Sequence, residues 1–142
     1  MVFKMKANAL LFLIFLMNAE FSHANARLTL KFHMATVTNN EFSLGGTLQN
    51  TGDDLLAKGF INYMVTYTPC VSGDIKTYYF SEIAPDNKHS FKIPVPEGIR
   101  SYKIISFGGV DSHGLPVEIN DETASVIKHK IEIERINCSL KK

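Results

Sequence analysis

Two β-sheets packed face to face are what this sequence predicts, on three observations. Apolar and polar residues alternate with a period of two through most of the chain beyond residue 26, and no helical stripe of useful length interrupts them. Clusters of Asn, Asp, Gly and Pro recur every eight to fifteen residues. The 142 residues, 45% apolar and 20% charged, suit one small domain and exclude a disordered tail, a collagen-like repeat or a polybasic nucleic-acid arm.

Residues 1–26 carry the marks of a secretory signal peptide. Lys4 and Lys6 give a positive start, Ala7 to Met17 is an apolar run, and Ala24-Asn25-Ala26 is a small-x-small cleavage site. The run is well short of the roughly 20 residues a membrane-spanning helix needs, so no membrane anchor is expected. Cleavage after Ala26 leaves a domain of residues 27–142 with thirteen basic and thirteen acidic residues. A neutral chain is poorly suited to electrostatic capture of nucleic acid or an anionic membrane. The expected location is secreted or periplasmic.

Arg27 to Val37 opens the domain as a half-buried strand, with Leu28, Leu30, Phe32 and Met34 on one face and Thr29, Lys31 and His33 on the other. Asn39-Asn40 makes a turn, and Glu41 to Gln49 follows with Phe42, Leu44 and Leu48 inward, so the two pair as a hairpin. Asn50 to Asp54 then breaks the chain. Phe60 to Thr68 reads as a central strand, because Ile61, Tyr63, Val65 and Tyr67 share one face while Phe60 and Met64 make the other partly apolar. Beyond the Pro69–Asp74 loop come Ile75 to Ile83 and then Lys88 to Val95, where Pro94 marks an edge or a strand end. Ser101 to Phe107 is next, followed by a loop from Gly108 to Asp121. The last strand is Ala124 to Cys138, alternating Ile131 and Ile133 with Lys130, Glu132 and Glu134. Seven strands at this spacing predict an immunoglobulin-like or fibronectin type III-like sandwich, with a small barrel as runner-up.

Export favours a disulfide over two thiols, and Cys70 and Cys138 permit one intrachain pairing. A bridge between two copies is the alternative. If the third, sixth and seventh strands are antiparallel neighbours, the third and seventh run in the same direction and the cysteines leave at the same end of one sheet. Two cysteines without a neighbouring His do not suggest a metal site, and no motif implies a cofactor.

Pro96-Glu97-Gly98-Ile99-Arg100-Ser101-Tyr102 turns the chain and then opens a strand with Tyr, which is where a tyrosine corner sits in such a sandwich. Tyr102 is the candidate for that role. Here the sequence resembles the fibronectin type III family, although it has no Trp and that family usually carries one early.

Catalysis is not expected. His33, His89, His113 and His129 are scattered, and His33 and His129 read as exposed imidazoles on polar strand faces. Asp111-Ser112-His113 is the one place where acid, hydroxyl and imidazole adjoin. Consecutive loop residues rarely converge as a triad requires, so a solvated loop is the better reading. Asp53-Asp54 reads as a turn capped by carboxylates rather than a calcium site.

The informative surface is aromatic. Tyr63, Tyr67, Tyr78, Tyr79 and Phe80 fall on the third and fourth strands, and the run Tyr78-Tyr79-Phe80 must place rings on both faces of the sheet. Tyr offers a large rigid contact with a polar tip, so these five are the candidate partner-binding residues; packing under a loop or subunit is the other role open to them. The Gly108–Asp121 loop is a second candidate, for binding or as a hinge for strand exchange.

As a small exported single-domain sandwich with two cysteines, the chain beyond residue 26 resembles the bacterial interleukin-receptor-mimic family. The resemblance implies a fibronectin type III-like fold and a homodimer made by exchanging strands. It also implies binding to host interleukins of the four-helix kind and to immunoglobulins, modulating host immunity as a virulence factor. A fimbrial subunit or periplasmic assembly chaperone acting by strand exchange is the alternative, and an exported enzyme the weakest third.

Overall fold

The structure, a computed structural model, describes residues 25–141, so residues 1–24 of the expected signal peptide lie outside it. The elements are β1 (Arg27–Thr38), β2 (Glu41–Asn50), β3 (Leu56–Thr66), β4 (Ile75–Phe80), β5 (Lys88–Pro94), β6 (Ser101–Asp111), β7 (Glu118–Asp121) and α1 (Ala124–Ser139). A four-stranded sheet in the order β5-β2-β1-β7 faces a three-stranded sheet in the order β4-β3-β6, which is the all-β sandwich that the alternation predicts.

β1 and β2 pair antiparallel from Leu28↔Asn50 to Thr38↔Glu41. Their turn residues Asn39 and Asn40 have φ of 53° and 64°, the left-handed backbone that a two-residue hairpin requires and Asn tolerates. Leu28, Leu30, Leu44, Leu48, Ile61, Phe91, Ile93 and Phe107 are buried between the sheets. Gly59 lies opposite Phe80 in the β3–β4 ladder, and a Cβ there would stand 2.2 Å from the Phe80 ring; the ring covers the bare backbone.

Three expected elements change. A bulge between Leu30 and Phe32 shifts the alternation of β1 by one, so Leu28 and Leu30 are core residues while Phe32 and Met34 point outward, about half exposed. The seventh strand is Glu118–Asp121, inside the segment expected to be loop, and it pairs parallel with β1 from Arg27↔Glu118 to Leu30↔Asp121. Ala124–Ser139 is helix rather than strand. Ile127, Ile131, Glu134 and Cys138, the positions turned toward the sheets, recur at intervals of four, three and four, a helical stripe that the local Ile131 and Ile133 alternation hides.

β3 and β6 are neighbours as expected, but β7 belongs to the other sheet. Among the described residues, no strand pairs with the outer edge of β6 from Ser101 to Phe107. The helix lies alongside it instead.

Ala26 is completely buried and the Asn25 carbonyl accepts from the Asp53 N–H at 2.9 Å, so both residues pack with the sandwich. Asn50, also completely buried, holds this corner together. Its side chain accepts from the N–H groups of Arg27 and Gly52 and donates to the carbonyls of Asp54 and Ile83. Every hydrogen-bonding site that its amide presents to the backbone is thereby used, as burial demands.

Candidate protein-binding face

Because Ile61, Tyr63 and Val65 of β3 point into the core, Phe60, Asn62 and Met64 must point away from it. Cross-strand register then builds the outer face of the three-stranded sheet row by row. Phe60 stands between Tyr79 of β4 and Gly108 of β6, Asn62 between Thr77 and Ser106, and Met64 between Ile75 and Lys103. In the middle row the Thr77 hydroxyl donates to Asn62 Oδ1 at 2.7 Å, and Asn62 Nδ2 donates to Ser106 Oγ at 3.0 Å. Two apolar rows thus flank a polar row whose members are already paired with one another. Tyr79 is 76% exposed and Ile75 62%. The only charge within the three rows is Lys103, which pairs with Glu134 of α1 at 3.1 Å. A face with aromatic and aliphatic side chains, few charges and polar groups that bond one another has the composition of the desolvated centre of a protein interface.

The structure separates the five aromatic residues singled out from the sequence. Tyr63 and Phe80 are core residues, 7% and 6% exposed, because the register turns them inward with Ile61 and Gly59; they offer no surface to a partner. Tyr78 is half-buried, its ring 6.3 Å from that of Phe91 and its hydroxyl 3.5 Å from His89 Nε2. Tyr67 is exposed but lies beyond the end of β3, outside the rows. Tyr79 alone belongs to the outer face. Its companions Phe60, Ile75 and Met64 were within reach of a period-two count, but only the β3–β4 register puts them beside it.

Tyr102 is half-buried and its hydroxyl meets His33 Nδ1 at 2.9 Å, so it links β6 to β1 in place of the backbone bond of a tyrosine corner. His33 is correspondingly not a free surface imidazole. Its Nε2 lies 3.3 Å from the Thr123 hydroxyl at the start of α1. Burial lowers the His33 pKa, Asp121 raises it and Lys130 lowers it further, while burial raises that of Tyr102. His89, stacked on Phe80 at 5.3 Å, is also lowered by burial.

The Asp111-Ser112-His113 segment is a capped turn. Asp111 is buried and its Oδ1 accepts from the His113 and Leu115 N–H groups at 2.8 and 2.9 Å. Ser112 Oγ and the Asp111 carboxylate approach the same imidazole nitrogen, His113 Nδ1, at 3.4 and 4.0 Å, whereas a triad places acid and nucleophile on opposite nitrogens. Among the described residues no three His, Cys, Asp or Glu side chains gather where they could hold a metal ion. The Asp53-Asp54 pair is part of the Asn50 corner.

Cys70, in the β3–β4 loop, is bonded to Cys138 near the end of α1, with Cα atoms 5.5 Å apart. The bridge is within one chain, and it joins a loop to a helix rather than two strand ends. A disulfide fits an oxidising compartment. No helix among the described residues is long and apolar enough to cross a membrane.

No protein-family model matches the chain, and no curated protein matches it. Among solved structures, that of the IrmA protein from Escherichia coli aligns with a TM-score of 0.41 at 10% identity, covering 68% of this chain and 90% of that one.

Proposed function

We propose that this protein is an exported binding module that engages a folded protein partner through the outer face of the β4-β3-β6 sheet, the partner being a host helical cytokine of the interleukin class. The observation that carries the reading is the pair of apolar rows, partly buried Phe60 with exposed Tyr79 and partly buried Met64 with exposed Ile75, around a polar row whose side chains bond one another. A partner laid on this face removes apolar area from water, while the bonds among Thr77, Asn62 and Ser106 reduce the polar desolvation that opposes association. The interleukin class comes from the resemblance seen in the sequence; the face is a surface on which the packed side chains of a helix could lie. The test is biolayer interferometry of the purified, oxidised chain against immobilised four-helix cytokines, with an unrelated helical protein as control. Saturable and selective binding supports the reading, and no binding at micromolar concentration removes it.

The edge of β6, which no strand pairs among the described residues, favours one second reading, that the chain acts by accepting or donating a strand, as fimbrial subunits and their chaperones do. Copurification with pilus components would favour this reading over the first.

A further inference from the structure

The helix α1 is held in an unusual way. None of its sixteen residues is buried, and Val126, Ile131, Ile133 and Ile136 are all more than 40% exposed. Hydrophobic burial is what normally fixes a helix to its domain, so this one depends on a few discrete ties. Thr123 meets His33 at its start, Glu134 pairs with Lys103 along its length, and Cys138 is bonded to Cys70 at its end. Exposed hydrogen bonds and ion pairs are each worth little, which leaves the disulfide as the strongest tie.

The helix lies where a strand would otherwise add. Tyr102 and Ile104, on the inner face of β6, and Lys103, on its outer face, all line clefts against Ile131 and Glu134 of α1. The helix therefore straddles the unpaired edge of β6, a known way of keeping such an edge from pairing with another chain. That edge is in need of cover: Tyr102-Lys103-Ile104-Ile105-Ser106-Phe107 is rich in β-branched and aromatic residues, has one charge, and contains neither Pro nor Gly.

We propose that α1 is a disulfide-locked guard on the β6 edge, and that a dithiol reductant unlocks it so that the edge pairs with the same edge of a second copy. One thiolate of the reductant attacks a sulfur of the Cys70–Cys138 bridge to form a mixed disulfide. Its second thiolate displaces the cysteine, so the reductant departs as a disulfide and both cysteines take up protons as thiols. The occupant is a second copy because the segment is of the kind that pairs with itself and one two-fold axis satisfies both edges at once. Antiparallel pairing centred on Ile104 sets Lys103 against Ile105, the extra residue of the β6 bulge, so no like charges face each other. Pairing of this kind adds strand to strand without exchange of any element, and it is independent of what the outer face binds.

Sedimentation velocity of the chain beginning at Asn25 tests this, oxidised and after dithiothreitol, together with the Cys70→Ser, Cys138→Ser double variant. The oxidised chain is expected to be monomeric, in contrast to the strand-exchanged homodimer that the resemblance implies. Its mass should double on reduction and in the double variant, and adding Ile105→Lys should return the double variant to a monomer. Hydrogen exchange should show α1 losing protection on reduction while the β3–β4 ladder keeps it. A mass unchanged by reduction, an oxidised chain that is already dimeric, a dimer indifferent to Ile105→Lys, or an α1 equally protected in both states would each overturn the proposal. Reduced wild-type protein carries the test if the double variant fails to fold.

Discussion

His33 and Tyr102 meet edge to face across the sandwich, ring centroids 5.5 Å apart and planes at 77°, with Nδ1 of the imidazole 2.9 Å from the phenol oxygen. Through its other nitrogen His33 reaches Thr123, so one side chain of β1 touches both β6 and the start of the helix. The residue sits there because the bulge at Leu30/Phe32 turns it inward.

That position makes stability pH-dependent. Burial lowers the pKa of His33, against the pull of Asp121 and with the push of Lys130, and burial lowers that of His89. The unfolded chain therefore binds protons that the folded chain refuses as pH falls below the ordinary histidine value of about 6.5. The stabilisation is complete above that value and is lost on acidification. Thermal melts between pH 7.5 and 5 should show Tm falling below about pH 6.5, with a shallower fall in His33→Gln. An identical slope in the variant would show that His33 does not contribute.

Asn50→Ala should cost about 3 kcal/mol, since it strands the Arg27 and Gly52 N–H groups and the Asp54 carbonyl together, while the Ile83 carbonyl keeps the Leu56 N–H. Urea denaturation reads this as a lower midpoint at unchanged slope. A loss below about 1 kcal/mol would mean that water replaces the amide.

The Cys70–Cys138 bridge, at a sequence separation of 68, should stabilise the fold by up to about 4 kcal/mol through the chain entropy of the unfolded state. Cys70→Ser should then lower Tm in oxidising buffer and leave it unchanged in dithiothreitol. An equal loss in both buffers would assign the effect to packing at residue 70.

Burial of Ala26 and the hydrogen bond of Asn25 to Asp53 place both residues in the domain. Ser22-His23-Ala24 is also small-x-small, so cleavage of the expected signal peptide should leave Asn25 as the first residue. Intact-mass spectrometry of the exported protein decides between this start and Arg27.

Most of the sandwich is legible because alternation is a local property: β1, β2, β4 and β5 start where the period-two runs and the Asn, Gly and Pro turns place them, whereas β3 starts four residues early at Leu56 and β6 runs on through Gly108-Gly109 to Asp111, inside the expected loop. What failed depended on information that is not local. One extra residue at the bulge flipped Phe32 and Met34 without disturbing the pattern that predicted them inside. Glu118–Asp121 is a strand only because Arg27–Leu30 offers it an edge. The helix hides behind the alternation of Lys130 to Glu134, while the stripe that fixes its orientation is spread over Ile127, Ile131, Glu134 and Cys138. For the candidate face, Tyr79 was visible in the sequence. Its neighbours Phe60 and Ile75 required the register of β3 against β4.

Tyr79 is the most exposed aromatic residue of the outer face, opposite Phe60 in the ladder. The most direct measurement compares wild type and Tyr79→Ala by biolayer interferometry on an immobilised four-helix cytokine, with thermal melts of both proteins alongside. Binding by the wild type, weakened about tenfold or more in Tyr79→Ala at unchanged Tm, is the predicted result. Equal affinity of the two proteins would contradict the assignment of this face.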